Sequence, residues 1–229
     1  MDMEYIIQTF IKTLAGVPVT LAIMLVSLLL SLVPALFLAL GQIYHVRGVK
    51  LFSLVYLAFI RSTPPIVMIL FFYSLFPSLL NYFFQKLQIT VNVFEFNPIF
   101  YAFIIFSLMT TGTLSEIIRS ALLAINNGQL EAAQSIGLTT RQAYTRIIFP
   151  QAFKVALPNL CNLVINLVKG TSLVFVMTIK DITAIARVEA AYGYQYFESY
   201  FVIFLVYILL CGSIQLLFNR LEESMALPA

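Results

Sequence analysis

Long apolar runs alternate with short polar stretches along this chain, and five of the runs are long enough to cross a bilayer. A membrane-spanning helix needs about 20 mostly apolar residues. The predicted spans cover residues 14–40, 51–76, 98–118, 155–179 and 199–218. Pro34 is expected to bend the first. That run is also too long for a cleaved signal peptide, and no basic segment precedes it. Arg61-Ser62-Thr63-Pro64-Pro65 interrupts the second span, and Lys169-Gly170-Thr171 interrupts the fourth. The longest outer connection, residues 77–97, is polar at Asn81, Gln85, Lys86 and Gln88. The pattern therefore predicts an all-α integral membrane protein with five transmembrane helices, organised as a single domain over residues 1–229.

Between the third and fourth spans lies a stretch of different character, about 126–150. It reads as two short helices joined at Gly137. The first, Leu130–Ile136, presents Ala132, Ala133 and Ile136 as a small apolar face. Gly137 can take the positive φ that ends a helix, and Thr139 or Thr140 can cap the next one. Pro150 disfavours helical geometry in the residue before it, so the second helix is expected to stop near Phe149. A compact helical hairpin projecting from a membrane protein is a docking knob for a soluble partner.

Composition supports the membrane class. The 229 residues are 61% hydrophobic and only 10% charged, with a net charge of +3. Soluble domains are about 25% charged. Cys161 and Cys211 both lie in apolar runs, and one histidine with no CxxC or HExxH spacing makes neither a disulfide framework nor a metal site. Nothing resembles a glycine-rich phosphate loop or a basic nucleic-acid patch.

The distribution of charge sets the orientation. Arg47 and Lys50 lie in the first connection, and Arg119, Arg141, Arg146 and Lys154 lie around the third. The N-terminal tail has only Lys12 and the second connection only Lys86. By the positive-inside rule the N-terminus lies outside, and the hairpin and C-terminus are cytoplasmic. Asp181, Glu189 and Glu198 then fall on the outer side, where they are expected to be solvated.

Polar groups inside the spans carry the remaining chemistry. Asn159, Asn162, Asn166 and Lys169 share one helix face, because their spacing is 3, 4 and 3. An amide in hydrocarbon is costly without a partner, so this face should meet other helices or a water-filled path. Arg61 precedes a helix break at Thr63-Pro64. Two readings stand: a substrate-facing break, or an arginine snorkelling to the interface from a helix that starts later. Ser107, Thr111 and Ser115 form a further stripe, and Glu116 and Arg119 can pair at i,i+3.

Taken as a set, the motifs resemble one family. Glu131-Ala132-Ala133, Gly137 and Ile147-Ile148-Phe149-Pro150 are similar to the EAA loop of bacterial ABC importer permeases. GQLEAAQSIG, IIFPQAFKVALPNLCN, LVKGTSL and IRSTPPIVMILFFY resemble the polar amino-acid uptake branch, histidine/glutamine/arginine/cystine type. Three positions depart from it: Gly170 stands where the family usually has Asp, Ser62 where it often has Gly, and Thr113 where relatives often carry an aromatic.

The resemblance implies a multi-pass permease in the bacterial cytoplasmic membrane that moves a polar amino acid. It implies partners: a second permease subunit, two ABC ATPase subunits and an extracellular solute-binding protein. The chain itself would bind no cofactor and be no enzyme; ATP and Mg would bind the partner ATPase. ATPase coupling would fall to Glu131, Ala132, Ala133, Gly137 and Pro150. A candidate translocation path combines Arg61, Thr63, Pro64, Asn162, Asn166, Lys169, Thr171 and Ser172. The alternative, an ion-coupled secondary amino-acid carrier, calls for inverted repeats and paired broken helices. The chain has neither.

Overall fold

The computed structural model describes residues 2–126 and 128–225. The hairpin's Asn127 and the terminal residues 1 and 226–229 lie outside the described residues. Those described form ten α-helices joined by short 3₁₀ and π segments, with no strand. Five helical stretches are long and apolar enough to cross a membrane: Met3–Ile43, Pro65–Lys86, Pro98–Leu123, Thr140–Met177 and Tyr196–Met225.

The first stretch begins earlier than the expected 14–40. Helix α1 (Met3–Leu14) is capped by Asp2, whose carboxylate accepts from the backbone N–H groups of Glu4 and Tyr5. After a one-turn bend at Ala15-Gly16, α2 (Val17–Ile43) continues through Pro34. Glycine is needed at this bend, because a Cβ on Gly16 would run into the backbone of Asp181 and Ile182.

The second stretch is split, and it is displaced toward the C-terminus of the expected 51–76. Helix α3 (Arg47–Ser62) turns back from the end of α2, and Gln42 bonds Ser53 across the turn at 2.5 Å. Thr63 and Pro64 are extended, and α4 (Pro65–Lys86) follows. It carries Pro77 without stopping, so the first half of the expected connection 77–97 is helix. Only residues 87–97 remain as a loop, with a 3₁₀ turn at Val93–Glu95.

Helix α5 (Pro98–Leu123) is the centre of the bundle. It lies against α2 along most of its length and also meets α3, α4 and α8. Ile105, Phe106 and Tyr101 of α5 are buried with Ile23, Ile69 and Val168. α8 (Phe149–Gly170), a 3₁₀ segment (Thr171–Met177), α9 (Ile182–Gly193) and α10 (Tyr196–Met225) complete the fold.

One end of the bundle gathers α1, α9 and the start of α10. There Lys12 pairs with Glu189 at 2.7 Å, and the Tyr5 hydroxyl lies 2.6 Å from that of Ser199. Loop residues 94–98 and Thr178 share a cleft at this same end. The opposite end gathers the end of α2, the end of α5 and the segment 128–148. An odd number of spans puts the N-terminus at the first end and the C-terminus at the second.

Candidate functional site

Residues 128–148 build a hairpin from local rules. Helix α6 (Gly128–Ser135) ends in a Schellman arrangement: Leu138 N–H bonds the Ala133 carbonyl and Gly137 N–H bonds that of Gln134. Gly137 holds φ at 86°, the left-handed region that suits glycine. Thr139 then caps α7 (Thr140–Ala143) in a reciprocal capping box with Gln142. Ala133 and Ala143 are buried in the crook of the hairpin. Glu131 and Ala132 are exposed on its outside, and Ile136 at the tip is 77% exposed. The apolar face expected from Ala132, Ala133 and Ile136 is thus divided: one alanine closes the hairpin, while the other two residues point outward.

The second helix does not stop at Phe149. A π turn (Tyr144–Ile148) joins α7 to α8, so helix runs unbroken from Thr140 to Gly170 through Pro150. Phe149 N–H bonds the Tyr144 carbonyl five residues back. The wider turn relieves the clash between the proline ring and the preceding turn that would otherwise break the helix. The Gln151 amide also donates to the Ile147 carbonyl at 3.0 Å.

Asn159, Asn162, Asn166 and Lys169 all lie exposed on α8. Four polar side chains on the open face of a membrane-spanning helix need cover from another chain or from water. Thr171 does not join them: it is buried and donates to the Val168 carbonyl at 2.7 Å, and Ser172 is half-buried.

The interruption at Thr63-Pro64 follows a helix that packs against the middle of α5. The Tyr56 hydroxyl donates to the Leu108 carbonyl, and Leu57 and Ile60 lie against Gly112, in the middle of α5. Arg61, which ends α3, donates to Glu116 at 3.4 Å. Arg119 reaches the same carboxylate at 3.3 Å. The expected i,i+3 pair is therefore a triad, and its third member comes from the break. Glu116 is 24% exposed and Arg61 63%.

Asp181 differs from expectation: it is fully buried, not solvated. Its carboxylate caps α9, accepting from Ala184 N–H at 2.8 Å and Thr183 N–H at 3.1 Å. Burial pushes its pKa above the ordinary carboxylate value, against those two hydrogen bonds. The bend at Gly16 packs over residues 181–182 and the Tyr207 hydroxyl reaches the carboxylate at 3.5 Å, and the linear sequence announces neither contact.

A family model described as "Binding-protein-dependent transport system inner membrane component" matches residues 31–227. The chain belongs to that family. It is the membrane-spanning permease subunit of an ABC importer, and an inner-membrane protein. Membership leaves no support for the ion-coupled carrier. Among the relatives is the probable amino-acid permease protein YxeN of Bacillus subtilis, 31% identical over 99% of this chain and 97% of the relative. The L-cystine transport system permease protein TcyL of the same organism is 35% identical over 88% of this chain and 82% of its own. Among solved structures, an amino acid ABC transporter crystallised with histidines superimposes with a TM-score of 0.79 at 26% identity, covering 98% of this permease and 99% of that chain.

Proposed function

We propose that this permease imports a polar amino acid, with glutamine, basic and sulfur-containing amino acids such as cystine all open. Its hairpin faces the cytoplasm and engages a separate ABC ATPase, which holds the ATP and Mg. The observation that carries this reading is the hairpin itself. It is an exposed two-helix knob sealed by its own caps, with Glu131, Ala132 and Ile136 turned outward. Exposed apolar and acidic groups on a rigid element fit a groove in a soluble partner. The N-terminus is outside and the C-terminus inside, as the lysine and arginine counts favour. A solute-binding protein delivers substrate at the outer end. The whole chain acts as one membrane domain beside a second permease, itself or a similar chain.

The exposed stripe Asn159–Lys169 supports a path between the two permeases, with Asn162, Asn166 and Lys169 on its wall and Arg61, Thr63 and Pro64 at the break beside it. Thr171 and Ser172 shape the helix end from within. ATP-driven closure of the ATPase pair favours one of two arrangements of the spans, and the hairpin transmits the preference. The test is Glu131→Lys. Amino-acid uptake and co-purification of the ATPase should both be lost while the protein still inserts. Full uptake by this variant removes the coupling role.

A further inference from the structure

Beside the hairpin lies a groove that transport does not explain. It is a cavity of about 390 Å³ between α2, α5 and α8, and every lining residue is apolar, among them Leu32, Leu36, Ile118, Phe149, Phe153 and Leu160. At Leu122 it meets a second cavity, also about 390 Å³, nearer the hairpin. That one ends in polar groups: Asn126 and the Tyr44 and Tyr144 hydroxyls, which are 3.5 Å apart. A long hydrocarbon slot with a hydroxyl-lined end has the shape of a lipid tail and its headgroup.

Two further observations select the occupant. The first is direction. On α8 the groove residues Phe149, Phe153, Ala156 and Leu160 recur at helical spacing, as do Asn159, Asn162, Asn166 and Lys169. At 3.6 residues per turn the two lines are roughly 130° apart. A partner permease covering the polar stripe therefore leaves the groove facing elsewhere, toward the bilayer. The second is charge. Arg47 and Lys50, one turn apart, begin α3 just after Tyr44, and Lys50 Nζ lies 3.4 Å from His45 Nδ1; both cations are exposed. Among the described residues neither of them is in an ion pair. Basic groups around a cleft between membrane helices at the cytoplasmic side favour anionic headgroups.

We propose that this groove binds one anionic phospholipid, its tail along α8 and its headgroup at Tyr44, Tyr144 and the Arg47–Lys50 pair. The lipid would seat against the π turn, where the hairpin joins its span. The inference rests on reading the hairpin end as the cytoplasmic boundary, but not on ATPase binding.

The test is native mass spectrometry of the full-length permease with added dioleoyl-phosphatidylglycerol or dioleoyl-phosphatidylcholine. One phosphatidylglycerol per chain should be retained in preference. Arg47→Gln and Lys50→Gln, both surface changes, should each weaken retention about fivefold, the worth of one cation near a headgroup. Ala156→Trp, which fills the groove, should displace the lipid, and Lys86→Gln at the opposite end should change nothing. Equal retention of the two lipids, or equal loss with Lys86→Gln, overturns the proposal. So does a disulfide between two copies carrying Ala152→Cys, which would make the occupant a second permease. ATPase co-purification is read separately, so failure here leaves the coupling reading intact, and the reverse.

Discussion

Two helix interruptions in this permease solve the same problem in different ways. At Gly137 the chain turns outside the bundle, and its freed backbone groups find partners within a few residues, in the Schellman bonds and the Thr139–Gln142 box. At Thr63-Pro64 the chain turns between two helices that both pack against α5. Thr63 bonds back to the Phe59 carbonyl at 3.0 Å, but the restraint comes from elsewhere: Arg61 is held by Glu116, 55 residues on. The first turn is rigid by local stereochemistry. The second is rigid only while α3 and α5 keep their relative positions. A transporter that changes shape can move the second and not the first.

The comparison can be broken at each point. The largest effect is expected for Gly137→Pro. Proline cannot reach φ of 86°, and it removes the N–H that bonds Gln134. Uptake should fall to background with insertion intact, as checked by transport assay beside membrane quantitation. Glu116→Gln comes next. It leaves two arginines without their acid, so uptake should drop and detergent melting should fall by several degrees. Arg61→Gln should cost about 1 kcal/mol or less, because that guanidinium is mostly exposed and screened. Equal loss from the two changes would show that Glu116 acts through Arg61 alone, and no loss from Arg61→Gln that it serves Arg119 alone.

Thr139→Ala removes one half of the capping box and should cost about 1 kcal/mol of hairpin stability. It should lower uptake modestly, and Thr139→Ser should restore it. The smallest effect concerns Asp181, whose folded pKa is raised above the unfolded value by burial. The folded state therefore binds its proton more tightly. That stabilisation is complete below the unfolded pKa and is lost as pH rises through the raised folded value. Asp181→Asn keeps the cap on α9 and removes the titration, so melting should lose part of its pH dependence in the acid range. An unchanged pH profile would mean the carboxylate reaches solvent.

The same contrast explains what could be read from sequence. Gly137 and Thr139 announce their turn through residue types that act on their neighbours, and the five apolar runs announce themselves by length. The Arg61–Glu116 contact joins helices far apart in the chain, and nothing within either segment requires the other. Asp181 looked solvated because charge counting put it on the outer side; the bend at Gly16 and Tyr207 of α10 hide it. Pro150 misled in the opposite sense. Proline is a reliable helix breaker only when the preceding turn has normal pitch, and a π turn changes that condition. Likewise Pro77 lies within α4, so the helix continues past the end expected near residue 76.

That wide turn at Tyr144–Ile148 has a mechanical consequence. Because Thr140 through Gly170 form one uninterrupted rod, the hairpin's second helix and the asparagine-bearing face of α8 belong to a single shaft, and the Gly137 turn ties Ile136 to its end. Torque applied at Ile136 would turn Asn162, Asn166 and Lys169 together, as a crank turns an axle.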